Sequence, residues 1–186
     1  MLRFKLMFAV LIAVFAGASA AEDPDGPRFS GAGSLLIPAN YRDWVFLSSG
    51  VGMTYGPLAN TRAEDAPLFD NVFVNRPSYQ AFLKTGQWPD KTMFVLEVRN
   101  SESKGSINKG GHYQATSVRG LEFEVKDSGT WTFYQLEPSG TEGKPFPRTA
   151  SCYACHAQNG AVDNTFVQFY PTLLPIAREK GTLKAN

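Results

Sequence analysis

Cys152-Tyr153-Ala154-Cys155-His156 contains both cysteines of the chain and one of its two histidines. Two thiols three residues apart, followed at once by an imidazole, are the donor set of covalent haem attachment. On a helix, positions i, i+3 and i+4 share a face. Cys152 and Cys155 can then form thioethers to one porphyrin edge, and His156 can reach the iron from the same side. The motif predicts one covalent haem c bound by Cys152, Cys155 and His156, with His156 as the metal ligand. Other chemistries use the same residue types. A thioredoxin-like redox pair follows a strand in a βαβ unit, whereas Lys144 to Ser151 is turn-rich. A structural zinc site needs four ligands, and the fourth would be His112, alone in a glycine-rich loop. A plain disulfide is the third alternative.

Few groups are available for the other side of the iron. No methionine follows His156. Met53 and Met93 fall on expected strands, where methionine is more often core filler than ligand. His112 sits in Asn108-Lys109-Gly110-Gly111-His112. The expectation is a five-coordinate iron, and open coordination suits binding or activating a small molecule more than carrying electrons. Phe94, Leu96, Phe123, Val125, Trp131 and Phe133 could supply an apolar wall there, which would favour neutral gases over anions.

The elements that must position this site read as α+β: an antiparallel sheet with a few helices, the haem motif on a C-terminal helix. Strands are expected over 45–55, 67–75, 92–100 and 121–126. Leu121 to Lys126 alternates strictly, the mark of a half-buried strand. Asp127-Ser128-Gly129-Thr130 is a hairpin turn leading to a strand from Trp131 to Glu137. Tyr41 to Trp44 starts a short helix. Arg76 to Lys84 is a helix with Pro77 in its first turn and Gly86 as its stop. A terminal helix is expected over 171–180, interrupted or entered at Pro175. Pro57 to Ala66 and Ser101 to Gly111 read as loops. No internal repeat or domain boundary is visible.

The N-terminus reads as a secretory signal peptide over residues 1–20. Arg3 and Lys5 precede an apolar run from Leu6 to Gly17, and Ala18-Ser19-Ala20 is a small-residue cleavage site. That run is short for a bilayer span of about 20 residues. In a bacterium the processed chain would be periplasmic or secreted, the side on which c-type haem is attached. Residues 21–34, rich in Pro, Gly and Asp, read as a flexible lead-in, and 35–186 as a single haem domain. Losing Arg3 and Lys5 leaves 16 basic against 17 acidic residues, a net charge of −1. That balance is no footprint for nucleic acid and gives no attraction to an anionic membrane.

Several stretches together resemble the cytochrome P-460 family. They are Tyr41-Arg42-Asp43-Trp44-Val45, Phe73-Val74-Asn75-Arg76-Pro77-Ser78-Tyr79, Gly86-Gln87-Trp88-Pro89-Asp90, Ala150-Ser151 with the motif, and Phe166-Val167-Gln168-Phe169-Tyr170-Pro171. The resemblance implies a homodimer of β-rich subunits, each with one c-type haem and His156 as proximal ligand. One branch of the family, cytochrome P-460 proper, oxidises hydroxylamine and carries a lysine bonded to the porphyrin edge. The other, cytochrome c-prime-beta, lacks that bond and binds nitric oxide and carbon monoxide. The cross-link position aligns with Leu96, and Lys91, Lys104 and Lys109 are the nearby lysines. Two functions follow as expectations: a gas-binding haem protein, or an enzyme acting on hydroxylamine or nitric oxide. An electron carrier with a redox partner protein is a third and would need Met53, Met93 or His112 on the iron.

Overall fold

The computed structural model describes residues 23–53, 66–136 and 140–185. The expected leader and nearly all of the 57–66 loop lie outside them. Eight strands form one antiparallel sheet: β1 (Arg28–Phe29), β2 (Leu35–Leu36), β3 (Val45–Val51), β4 (Phe69–Val74), β5 (Met93–Glu102), β6 (Tyr113–Asp127), β7 (Thr130–Leu136) and β8 (Glu142–Pro145). Their order across the sheet is β1-β2-β8-β7-β6-β5-β4-β3. The helices are α1 (Arg76–Thr85), α2 (Ser151–Asn159) and α3 (Leu174–Lys180), with short 3-10 turns at Tyr41–Asp43 and Val167–Phe169. The α+β reading holds, and α1 enters between β4 and β5 as the sequence places it.

Local chemistry sets the joints. Pro77 sits in the first turn of α1, and Gly86 ends it in the left-handed region at φ 70°, where a Cβ would be strained. Ser128 and Gly129 are both left-handed, at 49° and 73°. This is the pair of positive φ values that matches a tight hairpin to the twist of its strands. β6 runs well beyond the six residues that alternate. Its first half is mostly exposed and joins the sheet by backbone pairing with β5, as at Ser101–Gln114, through two register shifts. Side-chain periodicity carries no trace of such pairing.

Alternation divides the sheet into two cores. On the face away from α2 lie Met93, Val95, Leu121, Phe123, Val125, Tyr134 and Leu136, covered by Leu35, Tyr41 and Trp44. On the α2 face, Val74, Phe94 and Trp131 meet Phe82 of α1, Trp88, and Val162 to Ala177 from the C-terminal segment. Glu97, 2% exposed, lies on the first face. Its carboxylate accepts hydrogen bonds from Tyr41 Oη at 2.5 Å, Arg42 Nε at 2.8 Å and Arg99 Nε at 2.5 Å.

Residues 23–34, read from composition as flexible, are tied to the sheet. β1 pairs with β2 and β2 with β8. Asp25 is buried and accepts hydrogen bonds from Asn40 Nδ2 at 2.9 Å and Trp44 Nε1 at 3.0 Å. A polar, turn-rich segment is thus anchored by one carboxylate, which composition does not reveal.

Candidate functional site

α2 hangs from β7. The Tyr153 ring meets Phe133 edge-on at 4.7 Å. Arg148, just before the helix, donates to the Trp131 carbonyl at 2.5 Å and to Thr132 Oγ1 at 3.0 Å. No residue of α2 is fully buried. Cys152 and Cys155 are free thiols, each part-exposed one helical turn apart. Burial pushes the Cys152 thiol up, opposed by backbone N–H groups. The expected trio therefore lies together on one short helix.

His156 is held on three sides. Its Nδ1 lies 3.0 Å from the Asn164 carbonyl. A carbonyl can only accept, so Nδ1 carries the proton and Nε2 presents its lone pair. The ring packs between Phe133 at 4.5 Å and Phe166 at 4.4 Å. Nε2 faces Glu124 Oε1 at 3.4 Å. Burial lowers the imidazole pKa, partly opposed by the Asn164 carbonyl. Burial, and then Glu122, push the Glu124 carboxyl up to about 8. At neutral pH both groups are mainly uncharged, so their contact is no ion pair. A neutral imidazole with an unprotonated Nε2 is the metal-binding form.

The sheet opposite α2 departs from the expected apolar wall. Phe94, Leu96, Trp131 and Phe133 do face α2, but Phe123 and Val125 belong to the other core. β6 instead turns Glu122 and Glu124 toward α2, with Leu96 paired to Glu122 and Phe94 to Glu124. Burial raises the Glu122 pKa, and Asp70 adds to the shift. Tyr170 stacks on Phe94 at 6.0 Å. The strict alternation of Leu121 to Lys126 already placed the two glutamates on one face. A strand pattern cannot say that helices cover that face too. Asn164 and Phe166 were likewise missed, because local sequence does not show that the chain folds back onto His156.

The remaining candidates lie elsewhere. Met93 is fully buried on the face away from α2, with its N–H bonded to Asn75. Met53 is exposed just past β3. His112 adjoins the start of β6, its Nδ1 at 3.4 Å from Ser101 Oγ. Tyr113 and Glu124 pair with Glu102 and Phe94 of β5, eight positions apart, or roughly 27 Å at strand rise. That separation also removes His112 from any zinc site with the two thiols. Among the described residues no group of three or more His, Cys, Asp or Glu is placed to hold a metal ion. Lys91, Lys104 and Lys109 are exposed. A cavity of about 190 Å³ adjoins His156, lined by Thr130, Trp131, Arg148, Tyr153 and Asn164 among others. It is smaller than the roughly 300 Å³ of the smallest drug-sized sites.

The donor set fits a haem by its own chemistry. Two free thiols and a neutral imidazole share one short helix, packed beside an aromatic and carboxylate-bearing sheet. An antiparallel sheet backing a helix with this donor set is an arrangement that suits a haem-binding cytochrome. The family model described as cytochrome P460 matches residues 38–167, and the chain belongs to that family. No curated protein matches it.

Proposed function

We propose that this protein is an exported mono-haem c-type cytochrome that binds nitric oxide or carbon monoxide at an iron with one open position. Cys152 and Cys155 would hold the haem through thioethers, and His156 Nε2 would bind its iron. The bound haem would supply an iron able to take a diatomic ligand. The protein's part is to hold Nδ1–H on the Asn164 carbonyl, clamp the ring between Phe133 and Phe166, and present Leu96 beside Glu122 on the facing sheet. One observation carries the reading: Met93 lies on the face away from α2, His112 by the far end of β6 and Met53 exposed past β3, so none stands beside His156. This counts against an electron carrier.

A second reading, a hydroxylamine-oxidising enzyme, is favoured by Glu122 and Glu124 on the α2 face. Oxidising hydroxylamine releases protons, and two ionisable carboxyl groups beside the site could relay them. A homodimer remains part of the proposal, since among the described residues β3 is a sheet edge with Phe46 and Val51 exposed, and such edges are normally covered.

The test is intact mass and spectroscopy of purified protein. The mass should equal the chain from about Ala21 plus one haem, resistant to acid–acetone. The ferrous form should be high-spin and shift on adding nitric oxide or carbon monoxide. Cys152→Ser with Cys155→Ser should abolish covalent attachment. Extractable haem, or a low-spin ferrous spectrum, would reject the reading. Turnover of hydroxylamine, lost in Glu122→Gln, would put the enzyme in its place.

A further inference from the structure

The Asn164 carbonyl reaches His156 from an unusual turn. Asp163 and Asn164 are consecutive left-handed residues, at φ 47° and 61°. Asp and Asn tolerate that region best among non-glycine residues, yet rarely adopt it twice running. The turn is pinned at every side. The Asp163 carboxylate meets Lys126 Nζ of β6 at 2.7 Å, and the same ammonium donates to the Trp88 carbonyl at 2.8 Å. Thr165 Oγ1 accepts from Trp88 Nε1 at 2.9 Å and donates to the Val162 carbonyl at 2.7 Å. A Cβ on Gly160 would sit 2.5 Å from the Asn164 carbonyl carbon, so glycine is what lets the turn lie against the end of α2. The carbonyl that leaves this pinned turn is the acceptor of His156 Nδ1–H.

We infer that the Lys126–Asp163 ion pair is a positioning device that fixes the Asn164 carbonyl on His156 and thereby sets the electron donation of the axial imidazole. The inference rests on His156 being the iron ligand. A hydrogen bond from Nδ1–H to a fixed acceptor raises the basicity of a ligating histidine. A more basic ligand favours ferric over ferrous iron, and outer-shell hydrogen bonding is a recognised control on haem potential. Lys126 and Asp163 act through the backbone and touch neither ring nitrogen. Their pairing is only partly exposed, at 15% and 25% of the side chains, so solvent screens it incompletely.

Asp163→Asn keeps a residue suited to positive φ but removes the charge. Lys126→Gln removes the charge from the other side, and Lys126→Arg restores it. In the haem-loaded protein the two neutral variants should shift the ferric–ferrous equilibrium toward ferrous by up to tenfold. For one electron that is a rise of about 59 mV in midpoint potential. The ferrous iron–histidine stretching frequency should fall in step, and the arginine variant should return both values toward wild type. Whatever fraction of a variant takes up haem is read by spectroscopy, so partial misfolding still gives an answer. Unchanged potential and stretching frequency in both neutral variants would overturn the inference. The parent reading fails differently: the wild type would then lack covalent haem or show no iron–histidine band.

Discussion

Leu96 carries the sharpest consequence at the scale of single residues. It pairs with Glu122 on the sheet face turned toward α2. The family resemblance aligns the porphyrin-bonded lysine with this place, and a leucine has no atom able to form such a bond. Proteolysis of the haem-loaded protein should therefore leave haem on the Cys152–His156 peptide alone, by mass spectrometry. A haem peptide also containing Lys91, Lys104 or Lys109 would show a bond from a different strand or loop. The same scale shows what the chain's spelling disclosed. Cys152, Cys155 and His156 were legible because their spacing is itself the chemistry. The Asn164 carbonyl was not, since any residue has a carbonyl and only the fold aims one. Glu122 and Glu124 stood in plain view as the polar half of an alternating strand, and burial changed their meaning.

Among elements, the junction of α2 with the chain that follows is the most exacting. Gly160 ends α2 with its N–H on the His156 carbonyl, and an added Cβ would meet Asn164 backbone at 2.5–2.7 Å. Its φ of −67° is ordinary, so contact, not dihedral strain, demands glycine. Gly160→Ala should cost about 1–3 kcal/mol, the usual range for overpacking, seen as a lower urea midpoint with unchanged slope. The elements themselves were well marked in the sequence where side chains alternate or a proline and glycine bracket a helix, as in α1. They were poorly marked in the first half of β6 and in β1 and β2, where backbone pairing and one buried aspartate do the holding.

For the whole molecule, acid is the informative stress. Burial alone would raise the Glu97 pKa, but hydrogen bonds from Arg99, Tyr41 and Arg42 outweigh it and the net shift is downward. A lowered carboxyl pKa adds stability above the unfolded value of about 4.3, and that stability fades as pH falls toward the folded value. Wild-type stability should thus decline steeply below about pH 4. Glu97→Gln should be less stable at pH 7, by about 3 kcal/mol or more for a broken buried pair, and its decline in acid should be shallower. Denaturant titrations across pH 3–7 measure both slopes, and parallel curves would contradict the assignment.

The pairing of β2 with β8 joins Leu35 to Gly143, two strands with nearly the whole sheet between them in sequence. Such distant contacts form late, because closing a long loop must precede any reward from the contact. The edge of the sheet next to α2 therefore cannot be completed until most of the chain is available. α2 itself docks on Phe133 and Glu124 of the β6–β7 hairpin, a local pairing that needs no distant partner. The helix bearing the two sulfurs therefore has its own strands to settle on while that edge of the sheet is still open.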